Sequence, residues 1–198
     1  MKRNPETRER LLDAAEQLFL ERGFQGTSTR DITEAAGANL AAVNYYFRSK
    51  QDLMVAVAER VVAPILHAQA SRLDDLQARS TPLTVAELAA AYLTPMVEQR
   101  ERRGGGQIAR FIGQSMYEDF ESVRRVVGPV EDRFRTALAR ALPDLPADEL
   151  ELRFRAMVGI FIMYGLGLLT QGQPDTGPEQ LAARITAVCT ATLTAATS

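Results

Sequence analysis

Apolar residues recur along this chain at intervals of three and four, the spacing of one face of an α-helix, and strand-like alternation is almost absent. Leu11, Leu12, Ala15, Leu18 and Phe19 form the first stripe, on a helix that opens near Pro5 and runs to Arg22, where Gly23 stops it. Ser28 followed by Asp31 has the form of a capping box, opening a short helix through Ile32, Ala35 and Ala36 that ends at Gly37. Asn39 is a good N-cap for a third helix reaching about Tyr46. Ser49 and Asp52 cap a longer fourth helix striped by Leu53, Val57, Val61 and Ile65. Further on, Thr84 and Glu87 form another capping box, ahead of Leu88, Tyr92 and Met96, and Pro95 is expected to kink or shorten that helix. The remaining pattern predicts helices over 108–117, 120–142, 148–170 and 177–195, with the clearest break at Arg102-Arg103-Gly104-Gly105-Gly106.

Two short helices joined by a glycine-containing turn and flanked by longer ones are the parts of a helix-turn-helix. The third helix spans about two turns, too few to be stable alone, so its neighbours must hold it. Val43 and Phe47, one turn apart, are expected to face inward toward Leu18, Ile32 and Leu53. Tyr45 and Tyr46 cannot both share that face, so at least one points outward, where its hydroxyl can reach a phosphate oxygen. The small residues Ala38, Ala41 and Ala42 would let the helix approach base edges closely. Lys50, in the first turn of the fourth helix, would add a cation beside amides that favour phosphate. Packing alone is the competing account of this hairpin.

Charge and composition narrow the picture. The 198 residues are 46% hydrophobic and 24% charged, with a formal net charge of -2, which is ordinary for a globular protein. Residues 1–50 carry eight Lys/Arg against seven Asp/Glu, so a polyanion would be held by placed groups and not by a general basic field. One cysteine, Cys189, and one histidine, His67, exclude an internal disulfide and a Cys- or His-rich metal cluster. No cofactor is expected. With no nucleophile motif and no glycine-rich phosphate loop between strand and helix, an enzyme is the weakest reading. The N-terminus lacks a signal-peptide core, and no apolar run reaches the roughly 18 residues needed to cross a membrane, so a cytoplasmic protein is expected.

The stretch from Thr7 to about Leu53 resembles the N-terminal module of TetR-type (tetracycline-repressor-like) transcriptional regulators. The likeness rests on Leu11-Leu12-Asp13-Ala14-Ala15 to Phe19, Gly23-Phe24, Thr27-Ser28, Asp31-Ile32, Ala35-Ala36-Gly37, Tyr46-Phe47, Lys50 and Leu53. It implies an all-helical homodimer, with a three-helix DNA-binding head over 1–51 and a ligand-binding and dimerisation body over 52–198. The expected function is then a repressor bound to double-stranded DNA, at a palindromic operator because two heads on a symmetric dimer require one, and released by a small effector that the apolar body favours as apolar. Carried over by position, Thr27, Ser28 and Thr29 would touch phosphate with Arg30 beside them, Leu40, Ala41 and Asn44 would face base edges, and Asn39, Tyr45, Tyr46 and Lys50 would hold phosphates. Many members carry Tyr where Asn44 stands here. A helical adaptor without DNA binding is the rival reading.

In the body, 154–166 is apolar nearly all round, the mark of a helix buried on several sides. With the last helix it is expected to form a four-helix dimer interface through Phe161, Leu181, Ile185 and Val188, close approach being allowed at Gly159 and Gly165. Tyr92, Met96, Phe111, Met116, Phe134 and Met157 could line an apolar pocket with Arg110 or Gln114 as polar anchors. Ordinary core explains the same spacing. Residues 122–159, notably Phe134, Leu138, Leu142-Pro143-Asp144-Leu145 and Arg153, resemble a subgroup that includes regulators of lipid metabolism.

Overall fold

The computed structural model describes residues 5–102, 111, 113, 115, 120–165, 168, 169 and 177–196. Among the described residues there are eight helices and no strand: α1 Pro5–Arg22, α2 Thr29–Ala35, α3 Leu40–Phe47, α4 Lys50–Gln77, α5 Val85–Arg102, α6 Phe120–Ala141, α7 Ala147–Gly165 and α8 Pro178–Thr194. The expected break at 103–106 and most of the helix expected over 108–117 lie outside the described residues. The chain forms two compact units, one of residues 1–62 with 110–126 and one of 63–109 with 127–198.

The first unit reaches beyond the boundary expected at residue 51 because the opening half of α4 is tied to α1. Arg60 donates to Asp13 and Glu16 at 2.7 Å each and lies 3.7 Å from Glu9, three carboxylates along one face of α1. Leu53, Met54, Val57 and Val61 of the same half-helix are buried. By length and composition alone α4 passes as apolar enough to cross a membrane. Glu59 and Arg60 interrupt that apolar run, and the ion pairs of Arg60 mark it as a packed helix of a folded domain.

Within this unit the predicted punctuation operates as chemistry. Leu11, Leu12, Ala15, Leu18 and Phe19 are buried, and α1 ends where Gly23 takes a φ of +74°, a conformation that disfavours any side chain. Ser28 and Asp31 complete the capping box: the Ser28 amide donates to the Asp31 carboxylate at 2.7 Å and the Asp31 amide to the Ser28 hydroxyl at 3.1 Å. Gly37, at φ +58°, makes the turn into α3. The Asn39 side-chain oxygen accepts the Ala42 amide at 2.9 Å, and the Ser49 hydroxyl accepts that of Asp52 at 3.0 Å.

The second unit packs α8 against α5 and α7. Leu73, Leu88, Leu93, Phe134, Phe154, Met157, Cys189 and Leu193 belong to one buried cluster, and burial pushes the Cys189 thiol up to about 11. Pro95 does not shorten α5, which runs on to Arg102. The proline removes the amide that would bond the Ala91 carbonyl. One residue along, the Tyr92 carbonyl accepts a 2.7 Å bond from the buried Gln69 amide. α7 is buried on one flank only: Phe154, Met157, Phe161 and Tyr164 face inward, whereas Leu152 is 62% and Met163 42% exposed. Arg153, itself buried, closes the end of α8 by donating to the carbonyls of Leu193 at 3.0 Å and Ala195 at 2.6 Å while pairing with Glu149 at 2.6 Å. Replacing Arg153 by Met keeps the apolar stem but strands those carbonyls, so unfolding free energy should fall by about 1–3 kcal/mol. A urea midpoint equal to that of the unaltered chain would show that the clamp contributes nothing.

Candidate nucleic-acid interface

The surface of α3 divides cleanly. Leu40 (56%), Ala41, Asn44 and Tyr45 (43%) are exposed, while Ala42, Val43 and Phe47 are buried and Tyr46 lies between. At about 100° per residue the exposed set spans about 140° of the helix circumference. Val43 and Phe47 do turn inward, and the Arg8 guanidinium caps the Phe47 ring at 5.2 Å. Ala42, expected to approach base edges, is a core residue instead; its amide is the one that Asn39 caps, and its methyl lies inside. Tyr45 and Tyr46 meet edge to face with centroids 4.9 Å apart.

The segment before α2 needs a sharper correction. Thr27 is buried, and its single hydroxyl proton points to the carbonyls of Gly23 at 2.9 Å and Leu18 at 3.2 Å, so the side chain closes the α1–α2 loop and is not presented to solvent. Ser28 is exposed, but its hydroxyl is occupied by the cap, donating to Asp31 at 2.6 Å. Those bonds from Ser28 hold the Asp31 carboxyl below its usual range. The cap's contribution is therefore present above the unfolded-state pKa and lost as pH falls through the lowered folded value. Thr29 is half-buried, and Arg30 is exposed and paired with Glu34 at 3.0 Å.

Lys50 also has an internal role that its spacing did not reveal. Its ammonium donates to the Phe24 carbonyl at 2.5 Å and lies 4.0 Å from the Phe24 ring centroid, fastening the start of α4 to the loop after α1. A further exposed cation beside α3, not among the expected contacts, is Arg48. It is the C-cap of α3, at φ +63°, with an exposed side chain 3.6 Å from Asp52. Its place four residues after Asn44 and eight after Leu40 was the available signal.

The body candidates separate. Tyr92, Met96, Phe134 and Met157 share one buried cluster, Tyr92 lying 5.1 Å from Phe134 and 5.4 Å from Phe154. Phe111 is buried but belongs to the other compact unit, and Met116, Arg110 and Gln114 lie outside the described residues. The polar groups within the cluster's reach are others: the Tyr92 hydroxyl donates to Glu131 at 3.3 Å, and Glu131 pairs with Arg135 at 3.3 Å. Burial holds the Glu131 carboxyl above its usual range, with Arg135 pulling it the other way. Of the expected dimer residues, Phe161 and Ile185 belong to the chain's own core; Leu181 is half-buried and Val188 is 54% exposed.

Residues 11–57 match the family model described as bacterial regulatory proteins, tetR family, and 90–192 match that of the tetracyclin repressor-like C-terminal domain. The chain is 28% identical over 122 residues to Probable HTH-type transcriptional regulator YttP of Bacillus subtilis (strain 168), across 61% of this chain and 56% of that protein. It is 25% identical over 173 residues to the HTH-type transcriptional dual regulator CecR of Shigella flexneri, across 82% and 77% of the two chains. Among solved structures it resembles the fatty acid degradation regulator FadR from Bacillus halodurans, with a TM-score of 0.66, 15% identity and 96% of each chain covered. HlyIIR, a hemolysin II transcriptional regulator, superimposes with a TM-score of 0.63 at 19% identity over 92% of this chain and 96% of that one. These structural likenesses establish the fold. A short helix presented by two supporting helices, ahead of a helical body, defines a helix-turn-helix regulator of transcription. The chain belongs to the TetR family, whose C-terminal model alone spans more than half of it, and its relatives are regulators and not enzymes.

The reassignment of Thr27 has a direct check. Thr27→Val preserves shape but takes the hydroxyl donor from the Gly23 carbonyl, and should cost the head about 1–3 kcal/mol. DNA affinity measured well below the thermal midpoint should stay unchanged; a selective loss of affinity with normal stability would return Thr27 to the contact set.

Proposed function

We propose that this chain is a homodimeric, ligand-responsive repressor that binds a palindromic operator and releases it when a largely apolar small molecule enters the body. The observation that carries the reading is the division of α3: one flank is spent on the fold, and the other presents Leu40, Ala41, Asn44 and Tyr45 to solvent with no acidic residue among them. Arg48 and Tyr45 stand where phosphates would flank such a helix, with Arg30 and Thr29 at the start of α2. Two heads on a symmetric dimer require half-site centres about 34–36 Å apart, or a multiple of that. The reading places the protein in the cytoplasm with the DNA it regulates.

Dimerisation fits the flank of α7 and α8 that the chain leaves open: Leu152, Met163 and Val188 are large exposed apolar groups, and a Cβ added at Gly159 would meet nothing within 4 Å. The effector reading rests on the aromatic and methionine cluster around Tyr92 and Phe134, with Glu131 and Arg135 as its polar groups. An effector releases DNA only by favouring the DNA-incompetent state, and operator must then weaken effector binding by the same factor.

A gel shift with the DNA flanking the chain's own coding region tests the central proposal, and specific retention is expected. No shift with that DNA or with a random-sequence pool would favour the adaptor. Val188→Asp should give a folded monomer by light scattering, because the side chain faces solvent within one chain. Ile185→Asp should unfold the body, because it buries a charge in the chain's own core. A dimer that survives Val188→Asp would place the interface elsewhere.

A further inference from the structure

We infer that the operator half-site presents A·T pairs to α3, with an adenine read by Asn44 and thymine methyls packed against Leu40 and Ala41. This rests on the DNA-binding reading above and adds the base chemistry. Of the two asparagines in this region, Asn39 is spent: its side-chain oxygen caps the Ala42 amide at 2.9 Å. Asn44 is exposed, and among the described residues its carboxamide is bonded to no other group of the chain. A carboxamide carries a donor and an acceptor side by side, the pattern that matches adenine N7 and N6 in the major groove.

The neighbours on that flank are aliphatic. Leu40 and Ala41 offer no hydrogen bond, so the only favourable base edge for them is the thymine methyl group. The commonest reader of guanine is a cation aimed at O6 and N7, and α3 itself, from Leu40 to Phe47, contains no Lys or Arg. Of the cations beside the helix, Arg8 is held over the ring of the buried Phe47, and Arg48 leaves from the C-cap beyond the helix and lies 3.6 Å from Asp52. In such motifs the N-terminal part of the recognition helix meets base edges, which assigns Arg48 to the sugar-phosphate backbone. Tyr45, edge to face with Tyr46 at the border of the exposed arc, faces the same backbone.

The full-length protein, selected against a random duplex library, should return half-sites with A·T pairs at adjacent contacted positions. In the selected site, 7-deazaadenine at the read position removes N7 and should weaken binding roughly 5- to 150-fold. Uracil in place of a contacted thymine should cost about fourfold per methyl. Asn44→Ala, a change on the surface, should leave thermal stability unaltered, lose preference at that one base pair, and make 7-deazaadenine there harmless. Arg48→Ala should instead weaken all duplexes alike and lower the salt slope by about 1. Selected sites with G·C at the contacted positions, or an Asn44→Ala protein with unchanged base preference, overturn the inference and leave the regulator reading intact. Failure to bind any duplex removes both.

Discussion

An eight-residue helix has no stability of its own in water, because nucleation costs more than two turns of hydrogen bonds return. Every useful property of α3 therefore depends on being held. Asn39 satisfies an amide at its start, Val43 and Phe47 anchor it from below, and Arg8 covers the Phe47 ring. The platform beneath is fastened in turn by Thr27, which ties the loop to α1, and by Lys50, which ties α4 to that loop. The polar residues that first suggest contact with DNA are thus divided between two tasks. Those with buried or occupied hydrogen-bonding atoms hold the helix, and those left over face outward.

The body solves a different problem, that of placing prolines and charges in a helical core. Pro95 interrupts the ladder of α5, and Gln69 reaches across from α4 to a neighbouring carbonyl. Arg153 supplies donors to the last turn of α8, where carbonyls have no intrahelical partner. Glu131 and Arg135 enter the interior as a pair, with Tyr92 contributing a hydroxyl and the Phe154 ring lying 4.8 Å from the guanidinium. Each of these polar groups is matched by another, which is the condition for keeping it.

Helix limits were legible in the sequence because they are written in local chemistry. Pro5, Gly23, the Ser28–Asp31 box, Asn39 and the Thr84–Glu87 box act within four residues of where they stand. What was misread depends on distant partners. Periodicity marks Ile185 and Phe161 as buried but cannot say whether the burying surface belongs to the same chain. A threonine hydroxyl or a lysine ammonium suits a phosphate and a carbonyl equally well, so Thr27 and Lys50 could be assigned only once Gly23, Leu18 and Phe24 were in place. The extension of the first compact unit past residue 51 has the same cause: the ion pairs of Arg60 join residues more than forty positions apart. The exposed flank of α3 was visible as a list of residues, but separating Asn44 from Asn39 required knowing which carboxamide was already bonded.

Arg48 sits in the left-handed region at φ +63°, a conformation that glycine adopts at little cost and an arginine side chain resists. Any search for a more robust variant of this protein, by heat challenge or by expression level, will favour glycine there, since relaxing the turn brings an immediate gain. Such a variant would lose the cation beside α3. At this one residue, selection for durability and, on the proposed reading, selection for grip on nucleic acid run in opposite directions.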